Sequence, residues 1–225
     1  MRGIEQQRLI TGESDLANMT PTLVASRTAL PPEGTELARG GPSPRSPSLN
    51  FPPELLLRAQ GIKVAFFDVD GVLTDGGLYL SEHGETIKRF NILDGHGLKM
   101  LQKAGITPAV ITGRDSLPLR TRLAALGITH AHFGTEDKRP AADATLKALG
   151  LDWPQAAAMG DDWPDLPVMR RAALSCAPSN AHREVIAIAN HITAIQGGHG
   201  AAREFCDLLL IASGRYAQLL EAYNA

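Results

Sequence analysis

Residues 64–75 read VAFFDVDGVLTD, an apolar run followed directly by a turn that carries carboxylates and a glycine. A short apolar run that stops at turn residues is typical of a strand buried on both faces of a parallel sheet. Parallel sheets bind their ligands beyond the carboxyl ends of their strands. The stretch therefore predicts a central strand at residues 64–67 and a functional site in the turn at residues 68–75.

The sequence from residue 62 onward alternates short apolar runs with segments of helical period, which predicts an α/β fold with a parallel central sheet. Three of the predicted helices are expected to end at a glycine. Glycine readily adopts the left-handed backbone conformation with which many helices end. Segment 76–93 predicts a short inserted β-hairpin and is too short for a cap domain. Further strands are predicted at residues 109–111, 131–133, 156–159 and 174–176, the hairpin arms at 78–80 and 86–90, and the helix stops at Gly105, Gly127 and Gly150.

Residues 1–58 differ in composition from the rest of the chain, since they hold eight of the 15 prolines and a single aromatic side chain, Phe51. Such a segment buries too little apolar surface to offset the entropy of folding. We therefore predict a disordered proline-rich extension at residues 1–58 and one folded domain at residues 59–225. A tail that binds a partner protein is the alternative for the extension.

The composition narrows the classes of function. The 225 residues carry 22 Lys and Arg against 24 Asp and Glu, a net charge of -2, which disfavours a strongly basic nucleic-acid binder. No apolar run approaches the roughly 18 residues that span a membrane. Cys176 and Cys206 are far apart in sequence and outside any zinc-binding pattern, so we expect buried thiols in a reducing cytoplasm.

The turn after the first strand carries a pair of carboxylates that can face one pocket. Asp68 is expected to be a nucleophile, because a carboxyl with an ordinary pKa near 3.9 is ionised at neutral pH and needs no base to activate it. Asp70 would protonate the leaving oxygen and then deprotonate the attacking water. Gly71 permits the tight turn and lets backbone amides approach a phosphate. An acidic surface turn is the alternative for this motif alone.

The segment GDDWPDLP follows the predicted strand AAAM and adds carboxylates at another strand end. A carboxylate that attacks a phosphate needs nearby cations, and clustered oxygen ligands favour Mg²⁺. Asp161 is expected to bind this ion together with Asp68 and the backbone carbonyl of Asp70. Asp162 and Asp165 would either orient groups around the metal or cap a helix.

Two further motifs supply groups for a phosphate. In VITGRD, Thr112 ends a strand and Gly113 starts a turn, so the hydroxyl and the following amides can hold phosphate oxygens. A simple cap and turn is the alternative. Lys138 comes just before a predicted helix and is expected to neutralise the nucleophile and the phosphate as a point charge. Taken singly, such a lysine is more often a solvated surface residue.

The four motifs DVDGVLTD, ITGR, Lys138 and GDDWPDLP together resemble, in order and spacing, those of the haloacid dehalogenase-like phosphatases. The segments DGGLYLSEHGETIKRFNILDGHGLKMLQKAGI and GGHGAAREFCDLLL are similar, more closely, to the capless 3-deoxy-D-manno-octulosonate 8-phosphate phosphatase family. The resemblance implies a Rossmannoid three-layer fold and a homotetramer in which neighbouring subunits cover the site. It also implies a Mg²⁺ cofactor held by Asp68, Asp70 and Asp161, with Asp68 as nucleophile, Asp70 as acid and base, and Thr112 and Lys138 on the phosphate.

The substrate implied by the resemblance is a sugar acid phosphate, whose carboxylate must also be recognised. Arginine suits a carboxylate through its bidentate guanidinium, and Arg114 and Arg122 match two arginines of the family. His96 would either touch the substrate or occupy an exposed turn. The GGHG stretch has His199 where the family often has an arginine. It would either reach an adjacent active site or form a plain linker before a helix that starts near Ala201.

These expectations favour a Mg²⁺-dependent phosphatase that acts on 3-deoxy-D-manno-octulosonate 8-phosphate through an aspartyl-phosphate intermediate. The alternative substrates are a related nine-carbon sugar acid 9-phosphate and a broad set of sugar phosphates, because few side chains select among them. A non-catalytic scaffold with a partner-binding arm is a third hypothesis. The resemblance places such an enzyme in the cytoplasm, in lipopolysaccharide synthesis.

Overall fold

The computed structural model of the protein describes residues 50–224. Its strands are β1 (Val64–Phe67), β2 (Tyr79–Ser81), β3 (Gly84–Ile87), β4 (Thr107–Ile111), β5 (His130–His132), β6 (Ala156–Met159), β7 (Leu174–Ala177) and β8 (His191–Ile192). Six of them form one sheet in the order β5-β4-β1-β6-β7-β8, and all neighbouring pairs are parallel. Strand β1 matches the strand predicted from VAFF, and its central position brings the following turn to the carboxyl edge of the sheet.

The helices cover both faces of this sheet. They are α1 (Pro53–Ala59), α2 (Ile92–Lys103), α3 (Leu117–Leu126), α4 (Lys138–Leu149), α5 (Leu166–Met169), α6 (Arg183–Ile186), α7 (Ala201–Ala212) and α8 (Tyr216–Glu221). Short 3-10 helices occur at Trp153–Gln155 and Trp163–Asp165. The predicted strands other than β1 agree with β4 to β7 to within two residues at each end.

Successive side chains of β1 point to opposite faces of the sheet and enter two separate hydrophobic clusters. Ala65 and Phe67 pack with buried residues of α1, α2, α3 and α7. Val64 and Phe66 pack with buried residues of α4, α5 and α6. A strand that is buried on both faces needs apolar residues at every position, which explains why VAFF does not alternate with polar residues. The predicted three-layer α/β fold is confirmed.

Two of the predicted glycine stops lie directly after their helices. Gly127 ends α3 at φ 71° and Gly150 ends α4 at φ 66°, and their backbone N–H groups donate to carbonyls of the last helical turn. Side chains with a Cβ rarely adopt this left-handed conformation. Gly105 follows α2 by two residues and has φ 78°. These glycines return the chain from each helix to the next strand of the sheet.

The inserted segment folds into the predicted hairpin, in which β2 and β3 pair antiparallel. The described residues between β1 and α2 contain this hairpin and no cap domain. The returning arm is shorter than predicted, because β3 ends at Ile87 and the next side chain, Lys88, is buried. Tyr79, Leu80 and Ile87 remain exposed on the hairpin.

The folded domain begins earlier than the predicted boundary at residue 59. Phe51 and Leu55 are buried in the core, and helix α1 packs against α7. The ring of Phe51 also packs edge-on against His191, with 5.5 Å between ring centroids. The prediction used the average composition of residues 1–58, in which the few apolar residues that enter the core are outnumbered by prolines and polar residues. The part of the predicted extension before residue 50 lies outside the described residues.

Among residues 50–224, no helix combines the length and the apolar character that crossing a membrane requires.

Cys176 lies on β7 and Cys206 on α7, and both thiols are buried and free. Burial raises the pKa of each thiol well above its ordinary value. Neither thiol therefore has the ionised character of a reactive cysteine.

Candidate active site

An open cleft lies at the carboxyl ends of β1, β4 and β6, beside the first turn of α4. The parallel register of these three strands brings their terminal residues to the same edge of the sheet. The cleft is lined by Asp68, Asp70, Thr112, Gly113, Arg114, Glu136, Lys138, Asp161, Asp162, Pro164 and Asp165. Four motifs that are distant in sequence therefore meet in one place.

Lys138 is the first residue of α4, and its ammonium group is buried among carboxylates. Its Nζ lies 2.6 Å from Oδ1 of Asp68 and 2.7 Å from Oδ1 of Asp165. Burial opposes the positive charge, but Asp68 and Asp165 outweigh it and raise the pKa of Lys138 above its ordinary value. The alternative of a solvated surface lysine is therefore excluded.

Negative charge exceeds positive charge around this lysine. Burial, followed by the charge of Asp165, raises the pKa of Asp68 from 3.8 to about 7. Burial, followed by the charge of Asp68, raises the pKa of Asp161 from 3.8 to about 8. The pKa of Asp68 therefore differs from that of the solvated carboxyl on which the expectation of full ionisation was based.

The carboxylate cluster fits a divalent cation. Single oxygen atoms of Asp68, Asp161 and Asp165 lie within 4.8 Å of one another. Oδ1 of Asp161 is buried without a hydrogen-bond partner among the described residues, which costs free energy unless a further group binds there. Gly71 makes room for Asp161, because a Cβ at this position would overlap the carboxylate. Excess oxygen ligands of this kind are preferred by hard ions such as Mg²⁺.

The acidic loop after β6 combines the two roles that its sequence left open. Asp162 caps the 3-10 helix Trp163–Asp165 and accepts a hydrogen bond from the backbone N–H of Trp163 at 2.8 Å. Asp165 accepts the backbone N–H groups of Asp161 and Asp162 at 3.0 and 3.2 Å through Oδ2. Its other oxygen binds Lys138. Asp165 therefore fixes both the loop and the lysine.

Asp70 faces two cations, and one of them was not identified from the sequence. Nζ of Lys88 lies 2.5 Å from Oδ1 of Asp70. Nε of Arg114 lies 3.7 Å from Oδ2. The hydroxyl of Thr74 is also within reach of Oδ1, at 3.4 Å. The sequence offered one indication for Lys88, which was its position in the predicted hairpin. A hairpin inserted after a strand of a parallel sheet lies near the site at the carboxyl ends of the strands.

The TGR turn after β4 lines the cleft and shows the capping contact as well. Thr112 is buried, and its hydroxyl accepts the backbone N–H of Arg114 at 3.2 Å. Gly113 lies next to it in the lining, and the exposed Glu136 lies close to Gly113. Glu136 was not identified from the sequence, because a single glutamate in a loop carries no pattern.

Arg122 does not line this cleft. Its Nη2 donates a hydrogen bond to the backbone carbonyl of Asn91 at 3.3 Å, and its guanidinium carbon is 5.9 Å from the centroid of the Phe90 ring. Gly95 of α2 provides the space, because a Cβ at this position would overlap Nη2. Within one chain, this side chain therefore packs against α2.

The two histidines with open roles also lie outside the cleft lining. His96 is half-buried within α2 and not in an exposed turn, and its ring packs edge-on against Tyr223 at 5.5 Å. Nε2 of His199 lies 3.3 Å from Nη1 of Arg89, and its Nδ1 lies 2.8 Å from the carbonyl of Gly197. Because arginine can only donate, Nε2 of His199 accepts this bond and Nδ1–H donates to the carbonyl.

The glycine-rich stretch before α7 packs against the turn that follows β1. The backbone N–H of Gly198 donates to the carbonyl of Val72 at 2.9 Å. A Cβ at Gly197 would overlap the carbonyl of Gly71, so only glycine allows this close approach. The stretch is therefore a packed segment of this domain and not a plain linker, and α7 begins at Ala201 as predicted.

A parallel sheet whose strand ends gather an Asp-x-Asp turn, a Thr-Gly turn, a buried lysine and an acidic loop around one cleft defines the class of haloacid dehalogenase-like hydrolases. A family model with the description haloacid dehalogenase-like hydrolase matches residues 124–205. The 3-deoxy-D-manno-octulosonate 8-phosphate phosphatase KdsC of Escherichia coli strain K12 is 41% identical over 162 residues, which cover 72% of this chain and 86% of that protein. The chain therefore belongs to the 3-deoxy-D-manno-octulosonate 8-phosphate phosphatase family.

Solved structures agree with this assignment. The 3-deoxy-D-manno-octulosonate 8-phosphate phosphatase of Yersinia pestis superposes with a TM-score of 0.71 at 41% identity and covers 73% of this chain and 89% of its own. The enzyme of the same name from Moraxella catarrhalis superposes with a TM-score of 0.73 at 36% identity and covers 76% of this chain and 98% of its own. The Moraxella structure contains a magnesium ion, a phosphate ion and a KDO molecule. The predicted family and fold class are confirmed.

Proposed function

We propose that the protein hydrolyses 3-deoxy-D-manno-octulosonate 8-phosphate in a Mg²⁺-dependent reaction. The observation that carries this proposal is the cluster of Asp68, Asp161 and Asp165 around the single ammonium of Lys138, at the floor of an open cleft. This arrangement places excess negative charge where a phosphate ester, itself an anion, must bind. The substrate can therefore bind only when a further cation neutralises part of this charge. The names of the related phosphatases supply the substrate.

The reaction uses the two carboxylates of the turn after β1. An oxygen of Asp68 attacks phosphorus, the bond from phosphorus to the sugar oxygen breaks, and Asp70 gives its proton to that oxygen. Water then attacks the aspartyl-phosphate, Asp70 takes a proton from the water, and inorganic phosphate leaves with Asp68 restored. Both carboxyl groups line the cleft, with Asp68 buried below and Asp70 more exposed, as these roles require.

The proposed ligands of Mg²⁺ are Asp68, Asp161 and the backbone carbonyl of Asp70. The unpartnered oxygen of Asp161 and the space that Gly71 leaves beside it support this choice. When bound, the ion supplies positive charge that keeps the carboxylates ionised and stabilises the negative charge of the phosphoryl group. The protein itself holds the carboxylates in place before the ion binds.

The phosphoryl oxygens would be held by Thr112, Gly113 and Lys138, which line the same cleft. For the substrate carboxylate we propose Arg114, whose half-exposed guanidinium makes only a 3.7 Å contact with Asp70 and is free to form a bidentate pair. An Arg114→Met variant is expected to raise KM for the sugar acid phosphate and to leave KM for a sugar phosphate without a carboxylate nearly unchanged. Equal effects on both substrates would contradict this role.

We also propose that the protein acts as a homotetramer in the cytoplasm. Apolar side chains stay exposed on the hairpin and at the first turns of α2 and α3, and exposed apolar patches of this kind mark protein interfaces. They are Leu78, Leu80, Ile87, Ile92, Leu93 and Leu117. Light scattering of the wild type should give the mass of four chains, and Leu80→Glu should reduce it. A wild-type mass of one chain would overturn the proposal.

The substrate is tested by the turnover of a panel at equal concentrations. The panel contains the eight-carbon sugar acid 8-phosphate, a nine-carbon sugar acid 9-phosphate and common sugar phosphates, each with Mg²⁺ present. We expect kcat/KM to be highest for the eight-carbon compound. Similar values across the panel would support the broad alternative, and a preference for the nine-carbon compound would replace the proposed substrate.

A further inference from the structure

We propose that Lys88 of the hairpin is a positioning residue that holds the carboxyl group of Asp70 in the orientation needed for proton transfer. The inference rests on the proposed function, because it concerns the proton that Asp70 gives to the leaving oxygen. It is carried by the contacts of Lys88 in the structure, and Lys88 belongs to none of the four motifs.

The ammonium group of Lys88 is almost fully buried, with 1% of its side chain exposed. It lies 2.5 Å from Oδ1 of Asp70 and 2.9 Å from Oε1 of Glu85. Removing a charged amine from water costs several kcal/mol unless it is paired with opposite charge. The amine therefore stays with these carboxylates and fixes the position of one oxygen of Asp70.

The two carboxyl oxygens of Asp70 have different contacts. Oδ1 meets Lys88 and the hydroxyl of Thr74. Among residues 50–224, the contact found for Oδ2 is the one with Arg114 at 3.7 Å, and both residues line the cleft. The geometry therefore leaves Oδ2 as the atom that exchanges the proton with the leaving oxygen and later with water.

Lys88 also connects the hairpin to the reacting groups. The hairpin strands bury little of their surface, since Tyr79, Leu80 and Ile87 are exposed. The contact of Lys88 with Asp70 joins the returning arm of the hairpin to the turn after β1. The orientation of Asp70 then depends on an element outside the central sheet.

The adjacent residue provides a matched control. Arg89 also joins the hairpin to the turn after β1, but its Nη1 contacts Oδ2 of Asp75 at 3.2 Å and Nε2 of His199 at 3.3 Å. It makes no contact with Asp70 within hydrogen-bond distance. Arg89→Met therefore weakens the attachment of the hairpin without freeing the carboxyl group of Asp70.

The test compares two leaving groups, because only a poor leaving group needs a proton from Asp70. A sugar oxygen leaves as an alcohol and must be protonated, whereas p-nitrophenolate is stable as an anion. The value of kcat/KM covers steps up to the departure of this group, so it does not include hydrolysis of the aspartyl-phosphate. We measure kcat/KM for both esters in Lys88→Met, Arg89→Met and the wild type.

For Lys88→Met we expect a loss of about 10- to 100-fold on the sugar acid phosphate and a loss below about threefold on p-nitrophenyl phosphate, since positioned acids contribute about 100-fold or more. Arg89→Met is expected to change both values by the same factor. Lys88→Arg keeps a cation and is expected to restore most of the loss on the sugar ester. Equal losses on both esters in Lys88→Met, or full activity on both, would overturn the proposal.

Two controls separate this result from other causes. Thermal unfolding shows whether Lys88→Met is folded. If it is not, Lys88→Gln, which also removes the positive charge, replaces it in the comparison and must show the same unequal loss on the two esters. If the wild type hydrolyses p-nitrophenyl phosphate and some alkyl phosphates but not the eight-carbon substrate, the proposed function fails. The comparison of alkyl with aryl esters then still decides the role of Lys88.

Discussion

Replacing Asp161 with Asn is expected to make the protein more stable without metal while removing its response to Mg²⁺. Burial, followed by the charge of Asp68, raises the pKa of Asp161 to about 8. At neutral pH the unfolded chain ionises this carboxyl, whereas the folded protein must keep it protonated or accept buried repulsion. The buried Oδ1 has no hydrogen-bond partner to offset this cost. Asparagine has nearly the same shape and carries no charge.

The size of the effect follows from the raised pKa. Between the ordinary value of 3.8 and pH 7 lie about 3 pH units, which correspond to about 4 kcal/mol. Water in the open cleft screens the charges, so we expect a gain of about 1 to 2 kcal/mol in the free energy of unfolding. For a chain of this size the gain raises Tm by about 2 to 8 °C. At pH 4 most of the gain should vanish, because the folded protein then keeps the carboxyl protonated at little cost when the pH lies so close to the ordinary pKa of 3.8.

Thermal unfolding in EDTA at pH 4 and pH 8, and in Mg²⁺ at pH 8, measures this effect. Asp162→Asn is the matched control, since it makes the same chemical change at the next residue and asparagine caps a helix as well as aspartate. The wild type and Asp162→Asn should gain Tm with Mg²⁺, and Asp161→Asn should not. A lower Tm for Asp161→Asn in EDTA at pH 8, or an unchanged response to Mg²⁺, would contradict the role assigned to Asp161.

Three more predictions concern the same cluster. The pKa values of Asp68 and Asp161 are raised on folding. Their contribution to stability is therefore fully present below about pH 4 and is lost as the pH rises through about 7 to 8. The urea midpoint of unfolding in EDTA should fall as the pH is raised from about 4 to about 8. Lys138→Met should lower the free energy of unfolding at pH 8 by about 3 to 5 kcal/mol, as measured by urea titration, because it leaves buried carboxylates unpaired. Gly71→Ala, at φ 93°, should weaken Mg²⁺ binding at least about tenfold by calorimetry, since its Cβ displaces the Asp161 carboxylate. An unchanged affinity would contradict the inference that Gly71 makes room for this metal ligand.

Much of the fold could be predicted because each strong signal in the sequence corresponds to one physical requirement. VAFF is apolar at every position because β1 is buried on both faces. Gly127 and Gly150 mark helix ends because both adopt the left-handed conformation. The turn after β1 and the acidic loop after β6 could be placed together because parallel strands end at one edge of the sheet.

Other features depend on tertiary contacts that no local pattern records. Strand β8 has two residues and is recognisable only through its pairing with β7. Phe51 is a core residue within a proline-rich segment. Lys88 meets Asp70 through the bend of the hairpin, 18 positions away in sequence. The raised pKa of Asp68 likewise comes from burial and from Asp165, which are properties of the assembled cleft.

In the proposed reaction, Asp68 carries out phosphoryl transfer with the help of a divalent cation. The most direct measurement is phosphate release from 3-deoxy-D-manno-octulosonate 8-phosphate by the wild type and by Asp68→Asn, each with Mg²⁺ and with EDTA. We expect rapid release only from the wild type with Mg²⁺, and less than about a thousandth of that rate from the variant. Comparable release from Asp68→Asn would contradict the role of Asp68 as nucleophile, and wild-type release that persists in EDTA would contradict the need for a divalent cation.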